Sequence, residues 1–163
     1  MIAVFAALFV AIAGMAGVAL YSNSQLTRAL ASVYVDRVEP LRDLKEISDA
    51  YAVEIVDTTH KTRAGTVTPK EALASIAHVR EVSAQNWRTY MATFMDDREK
   101  ALATAAAARF AAAGAAVDEL EKILRADDRV RLVEFAEKRM YPTIDPLTGA
   151  LDELIKYQVA IAK

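Results

Sequence analysis

Gly65-Thr66-Val67-Thr68-Pro69-Lys70-Glu71 carries a helix stop followed at once by a helix start. His60, Lys61 and Arg63 precede it, cations suited to the negative end of a helix, and Gly65 supplies the C-terminal break. Thr68 can cap the next helix, Pro69 takes its first position, and Glu71 three residues on completes a capping box. Upstream, Leu30, Tyr34, Val38, Leu41, Leu44, Ile47, Tyr51 and Ile55 step by three and four, the spacing of one helical face. Downstream, Leu73, Ile76, Val79, Ser83, Trp87, Tyr90 and Phe94 do the same. Two amphipathic helices joined by so short a link must lie antiparallel.

The pattern repeats. Asp96-Asp97-Arg98-Glu99 offers an acidic cap for a third helix with its stripe at Leu102, Ala106, Phe110, Ala113, Val117, Leu120 and Leu124. Eleven of the sixteen residues from Ala101 to Ala116 are Ala, the strongest helix former, which predicts close helix packing. Asp127-Asp128 caps a fourth helix whose stripe runs through Val133, Ala136, Met140, Ile144, Leu147, Leu151, Leu154, Gln158 and Ile161. Pro142 and Pro146 interrupt it, yet the stripe keeps its phase, so one bent helix is expected. The fold class is therefore all-α, an antiparallel up-down-up-down four-helix bundle, over residues 28–163.

Residues 1–27 read differently. No charged residue precedes Arg28, so all 20 Lys+Arg and 22 Asp+Glu fall in residues 28–163. Ile2 to Leu20 is an unbroken apolar run of 19 residues, about 28 Å as a helix and close to the ~30 Å hydrocarbon core of a bilayer. Tyr21 would sit at the interface, and Ala3, Ala7 and Ala11 have the spacing that lets helices approach in lipid. The alternative is a cleaved signal peptide; the run exceeds the usual ~7–15 residues and lacks a basic start, which favours a transmembrane anchor helix. Lys163 would then return to the membrane, with a second membrane helix expected beyond it.

Composition narrows the function classes. With no Cys there are no disulfides, thiolate metal sites or thiol nucleophile. A net charge of −2 gives no electrostatic reason for nucleic acid as partner. Bundle di-iron enzymes need Glu-x-x-His, whereas Asp57 and Ser75 stand three before His60 and His78. No phosphate loop or hydrolase motif is present, so no enzyme and no cofactor is expected. A non-covalent haem on His60 or His78 with a Met is an alternative that a Soret band would reveal.

Tyr34-Val35-Asp36-Arg37-Val38-Glu39-Pro40-Leu41-Arg42-Asp43-Leu44 resembles the entry segment of the four-helix-bundle periplasmic sensor domain of methyl-accepting chemotaxis proteins. The resemblance continues through Ile47-Ser48-Asp49-Ala50-Tyr51, Asp57 to Lys61, Trp87 to Tyr90, and Tyr141 to Leu147. It implies a chemoreceptor of the bacterial inner membrane with its sensor in the periplasm. It also implies a homodimer paired through the first helix, a small-molecule attractant such as an organic acid or amino acid, and a shift of the last helix across the membrane. Aspartate-sensing members use arginines on the first helix; Ala50 to Thr62 contains none, so that site is not carried over.

The implied carboxylate calls for charge-assisted donors, best an Arg fork. Arg80, one residue past the second stripe, is the leading candidate, with His60 and Thr59 facing it and Lys61 nearby. Trp87 could form an aromatic wall and Tyr141 could line a bend at Pro142. Each also has a structural reading: solvated charge, core aromatic, packing bend. Two other functions stay open, a membrane-tethered bundle that binds nothing small, and the sensor module of a histidine kinase or cyclase.

Overall fold

The computed structural model describes residues 14–15, 17–23, 25 and 38–161. Residues 1–38 and 39–163 form two separate units. In the first, the described residues are helical, and Gln25 donates to the Tyr21 hydroxyl at 3.1 Å, four residues back. Most of the proposed anchor lies outside the described residues, among which no helix is long and apolar enough to cross a membrane.

The second unit is helical throughout its described length: α1 (Glu39–Asp49), a π-helical segment (Ala50–Ile55), α2 (Val56–Ala64), α3 (Pro69–Met91), α4 (Asp97–Arg125), α5 (Arg129–Lys138) and α6 (Met140–Ile161). Six polar contacts, two across each of three helix pairs, fix the topology. Glu46 meets Asn86 and Glu54 meets Ser75; Tyr90 meets Glu99 and Arg80 meets Asp118; Gln158 meets Glu99 and Arg139 meets Glu119. In each pair of helices one number rises as the other falls, so neighbours run antiparallel. The rod α1-π-α2 packs beside α3 and α6, and α4 beside the same two. This is the expected four-rod bundle.

Its caps follow the local chemistry. Thr68 Oγ1 accepts from the Glu71 backbone N–H at 3.3 Å, and Glu71 accepts from the Thr68 N–H at 2.9 Å. Asp96 and Asp128 accept from Glu99 and Arg131 backbone N–H groups at 2.9 and 3.0 Å. At the opposite ends, Thr66 N–H reaches Lys61 C=O and Gly65 N–H reaches Thr62 C=O, both at 3.0 Å. Asp128 and Asp127 repeat that pattern onto Ile123 and Leu124. Both closures are Schellman motifs, which require a left-handed residue; Gly65 (φ 77°) and Asp127 (φ 48°) supply it.

The core is a seam of Leu44, Ile47, Ile55, Ile76, Val79, Leu120, Met140, Leu147, Leu151 and Leu154, with Ala103, Ala106 and Ala113 where α4 comes close to its neighbours. Several expectations are corrected. The first rod is not one regular α-helix: six residues, Ala50–Ile55, are π-helical. Phe94 is not on the second stripe; α3 ends at Met91, and Phe94 stands in the loop, 94% exposed. The last rod is two helices meeting at Arg139 rather than one bent helix. Pro142 would clash with the carbonyl four residues back, that of Lys138, the last residue of α5. Within the first turn of α6 its missing N–H costs nothing. Ahead of that break Ala136 is buried as the stripe implies, together with Leu132 and Phe135, while Val133 is 38% exposed.

The two left-handed closures make a matched test. Nothing lies within 4 Å of a Cβ added at Gly65, so Gly65→Ala isolates backbone strain and should lower stability by about 1–2 kcal/mol. Asp127→Gly should raise it by a smaller amount, since Gly carries no such strain. Urea unfolding of the two variants against the parent reads both signs.

Candidate functional site

The six candidate residues do not converge on one point. His60 in α2 and Tyr141 in α6 are brought together: imidazole Nε2 and phenol oxygen lie 3.2 Å apart, with ring centroids at 6.2 Å. Tyr141 is 45% exposed, so this pair faces solvent and can meet a ligand. Thr59, one residue before His60, is turned inward. It is buried, and its hydroxyl donates to the Ile55 carbonyl at 2.7 Å. Lys61 pairs with Asp57 at 2.6 Å on the exposed side of α2.

Arg80 borders the core as its position beside the stripe implied, but its charge is already answered. Its guanidinium pairs with Asp118 and reaches Glu121 Oε1 at 2.8 Å, and Glu121 also holds Arg125 at 2.6 Å. Buried Tyr51 lies close to this cluster. Burial raises the Tyr51 pKa, Arg80 pulls it down, and Asp118 adds to the rise. A ligand carboxylate binding Arg80 would compete with two acids of its own chain.

Trp87 belongs to an aromatic stack. It lies parallel to Phe110 with centroids at 5.8 Å and 5.6 Å from Tyr90, and Phe110 meets Tyr51 edge-on at 5.6 Å. Such pairs add about 0.5–1.5 kcal/mol each beyond their buried area.

Two concavities accompany these residues. A groove of about 480 Å³ runs along the π-helical segment, lined by Glu46, Asp49, Val53, Glu54, His78 and Val82 among others. A smaller cavity of about 110 Å³ lies between the two Schellman closures, with Ile123, Leu124 and Leu132 as apolar lining and Thr68, Asp127 and Arg129 as polar lining. π-helical insertions recur at functional sites, and nothing in the residue pattern of Ala50–Ile55 announces this one. Among the described residues no cluster of His, Asp and Glu could hold a metal ion.

A buried polar layer lies at the other pole, with no signal in the residue pattern. Glu99, read only as part of an acidic cap, is 1% exposed. Its Oε1 accepts from the Tyr90 hydroxyl at 2.7 Å and from the Gln158 amide. Burial and the neighbouring Glu99 carboxylate push the Tyr90 pKa far up, so the phenol stays a donor. Asp96 beside it accepts from the Tyr157 hydroxyl and the Glu99 N–H, which hold its carboxyl below the usual 3.8.

Comparison with known proteins gives the bundle its class. The family model described as "Tar ligand binding domain homologue" matches residues 1–162. The chain belongs to this family, the ligand-sensing domains of chemotaxis receptors. Methyl-accepting chemotaxis protein NahY of Pseudomonas putida is 39% identical to it over 153 residues, which make up 92% of this chain and 28% of that protein. The chain therefore spans little more than a quarter of that relative's length. No solved structure matches.

Two outcomes follow from the polar layer and the caps. Tyr90→Phe strips a donor from a buried carboxylate and should cost about 1–3 kcal/mol in chemical unfolding. Asp96 and Glu71 both have folded pKa values below their usual 3.8 and 4.5, Glu71 through its bonds from Thr68. Their contribution is therefore complete above those values and lost as pH falls towards the depressed ones. Asp96→Asn and Glu71→Gln should each lose melting temperature less steeply on acidification than the parent.

Proposed function

We propose that this chain is the periplasmic sensor region of a transmembrane chemoreceptor that binds a small organic acid or amino acid and answers with a displacement of α6. The observation that carries the reading is the family match, which runs through the apolar N-terminal segment and the whole bundle together. The run Ile2–Leu20 supports the membrane anchor, residues 1–27, with residues 28–163 as the sensor. The family's pairing through the first helix supports a homodimer in the inner membrane.

His60 and Tyr141 are the first residues to test as ligand contacts. They sit on the two rods that a ligand would have to couple, the first and the last, and both present polar ring atoms near the surface. Lys61, next to His60 in α2, and Arg80, on α3 among Asp118 and Glu121, are the cations of the proposal, Arg80 binding by exchange of one of those acids for the ligand carboxylate. Thr59 and Trp87 would act from within the core, by shaping the rods rather than by touching the ligand. A ligand moves α6 only through its different affinity for two packings of the bundle.

The test is a thermal-shift screen of the full chain in lipid nanodiscs against organic acids and amino acids. A compound at 100 times its dissociation constant should add about 2.7 kcal/mol of stability. His60→Ala and Arg80→Ala should abolish or weaken that shift while the unliganded chain melts close to the parent, since partly exposed ion pairs contribute about 0–1 kcal/mol. A panel that shifts nothing removes direct sensing of these classes and leaves the tethered structural bundle.

A further inference from the structure

We infer that the first turn of α4, Asp96 to Glu99, is a clamp that fixes the position of α6 along its own axis. Three contacts converge there from two consecutive residues of α6. The Tyr157 hydroxyl donates to Asp96 Oδ2, the Gln158 amide donates to Glu99 Oε1, and the Arg98 guanidinium lies 5.2 Å from the centre of the Tyr157 ring. Two of these acceptors are carboxylates, so the hydrogen bonds are charge-assisted.

Along the rest of α6 the buried residues Ile144, Leu147, Leu151 and Leu154 hold by apolar contact, which carries no directional bond. Hydrogen bonds add direction to that packing, because they weaken steeply as distance and angle leave a narrow range. Away from the clamp, the polar ties to other helices from α6 and the residue just before it, among the described residues, are the exposed His60–Tyr141 contact and the Arg139–Glu119 ion pair at 3.5 Å, both at the far pole.

The platform is itself held. Thr93 Oγ1 donates to the Tyr90 carbonyl at 2.7 Å, Met95 is buried, Asp96 caps the Glu99 N–H, and the Tyr90 hydroxyl returns to Glu99. The α3–α4 link is thus tied at both ends to the carboxylates that grip α6. Glu99 and Asp96 act as positioning residues. If α6 is the element displaced in signalling, a consequence that rests on the proposed function, this turn sets the threshold of the displacement.

The chain contains no Cys, so introduced pairs report register cleanly. Leu102 on α4 and Glu153 and Lys156 on α6 line one groove. In the full chain in nanodiscs, oxidation of Leu102→Cys with Glu153→Cys is compared with Leu102→Cys with Lys156→Cys. With the clamp intact, one pair should close faster than the other by about tenfold or more, because disulfides demand a narrow range of separations. Adding Glu99→Gln and Tyr157→Phe should bring the two rates towards equality while helical circular dichroism is retained. Tyr157→Phe alone, which removes one exposed hydroxyl bond and leaves the buried layer intact, should move the ratio in the same direction and serves if the double change unfolds. An unchanged ratio in a folded variant would overturn the clamp, leaving the turn with a purely stabilising role.

Discussion

A seam of aliphatic side chains holds the four rods together, and directional polar contacts add to it the position of each rod along its axis. That division of labour runs through this bundle. Leu44, Ile47, Ile76, Leu120, Leu147, Leu151 and Leu154 close the interior, and most of the free energy of assembly resides there. Directional contacts add to axial register: Tyr90, Asp96, Glu99, Tyr157 and Gln158 at one pole, His60 with Tyr141 and the two Schellman closures at the other, and Glu46–Asn86, Glu54–Ser75 and Arg80–Asp118 between them. The rods are apolar within and tied by polar contacts along their flanks.

Under the proposed function this division would matter to signalling as well as to architecture. A ligand selects between two packings only through its different affinity for them, and polar ties would keep such packings discrete. The π-helical segment of the first rod and the break at Arg139 in the last place irregular backbone on two rods that are in contact, so neither behaves as a uniform cylinder.

Much of the fold was legible because its signals are local. Thr68, Pro69 and Glu71 declare a helix start within four residues, and Gly65 declares a stop through the conformation only glycine adopts cheaply. The stripes mark the core face of all four rods, the first through Leu44, Ile47, Tyr51 and Ile55. What escaped depended on distance in the chain. Arg80 was placed correctly at the border of the core, but its partners Asp118 and Glu121 lie some forty residues away, and no pattern around Arg80 reveals them. Glu99 reads as one member of an acidic cap, and only Tyr90 and Gln158, from elsewhere in the chain, make it buried. Phe94 continues the apolar spacing of α3 perfectly well; the chain simply turns after Met91. Thr58, Thr59 and Thr62 are buried in α2 with two of their hydroxyls bonded to carbonyls one turn back, a satisfied polar face that hydropathy cannot distinguish from an exposed one. The candidate site fared accordingly: the His60–Tyr141 meeting was within reach of a bundle argument, the charge already spent at Arg80 was not.

The inner face of α4 imposes a one-sided tolerance. Ala103, Ala106 and Ala113 are wholly inaccessible, so the backbones around them stand nearly as near as methyl groups permit. Enlargement at any of these sites has no void to enter and must wedge whole rods apart, whereas shrinkage to glycine merely loosens the helix.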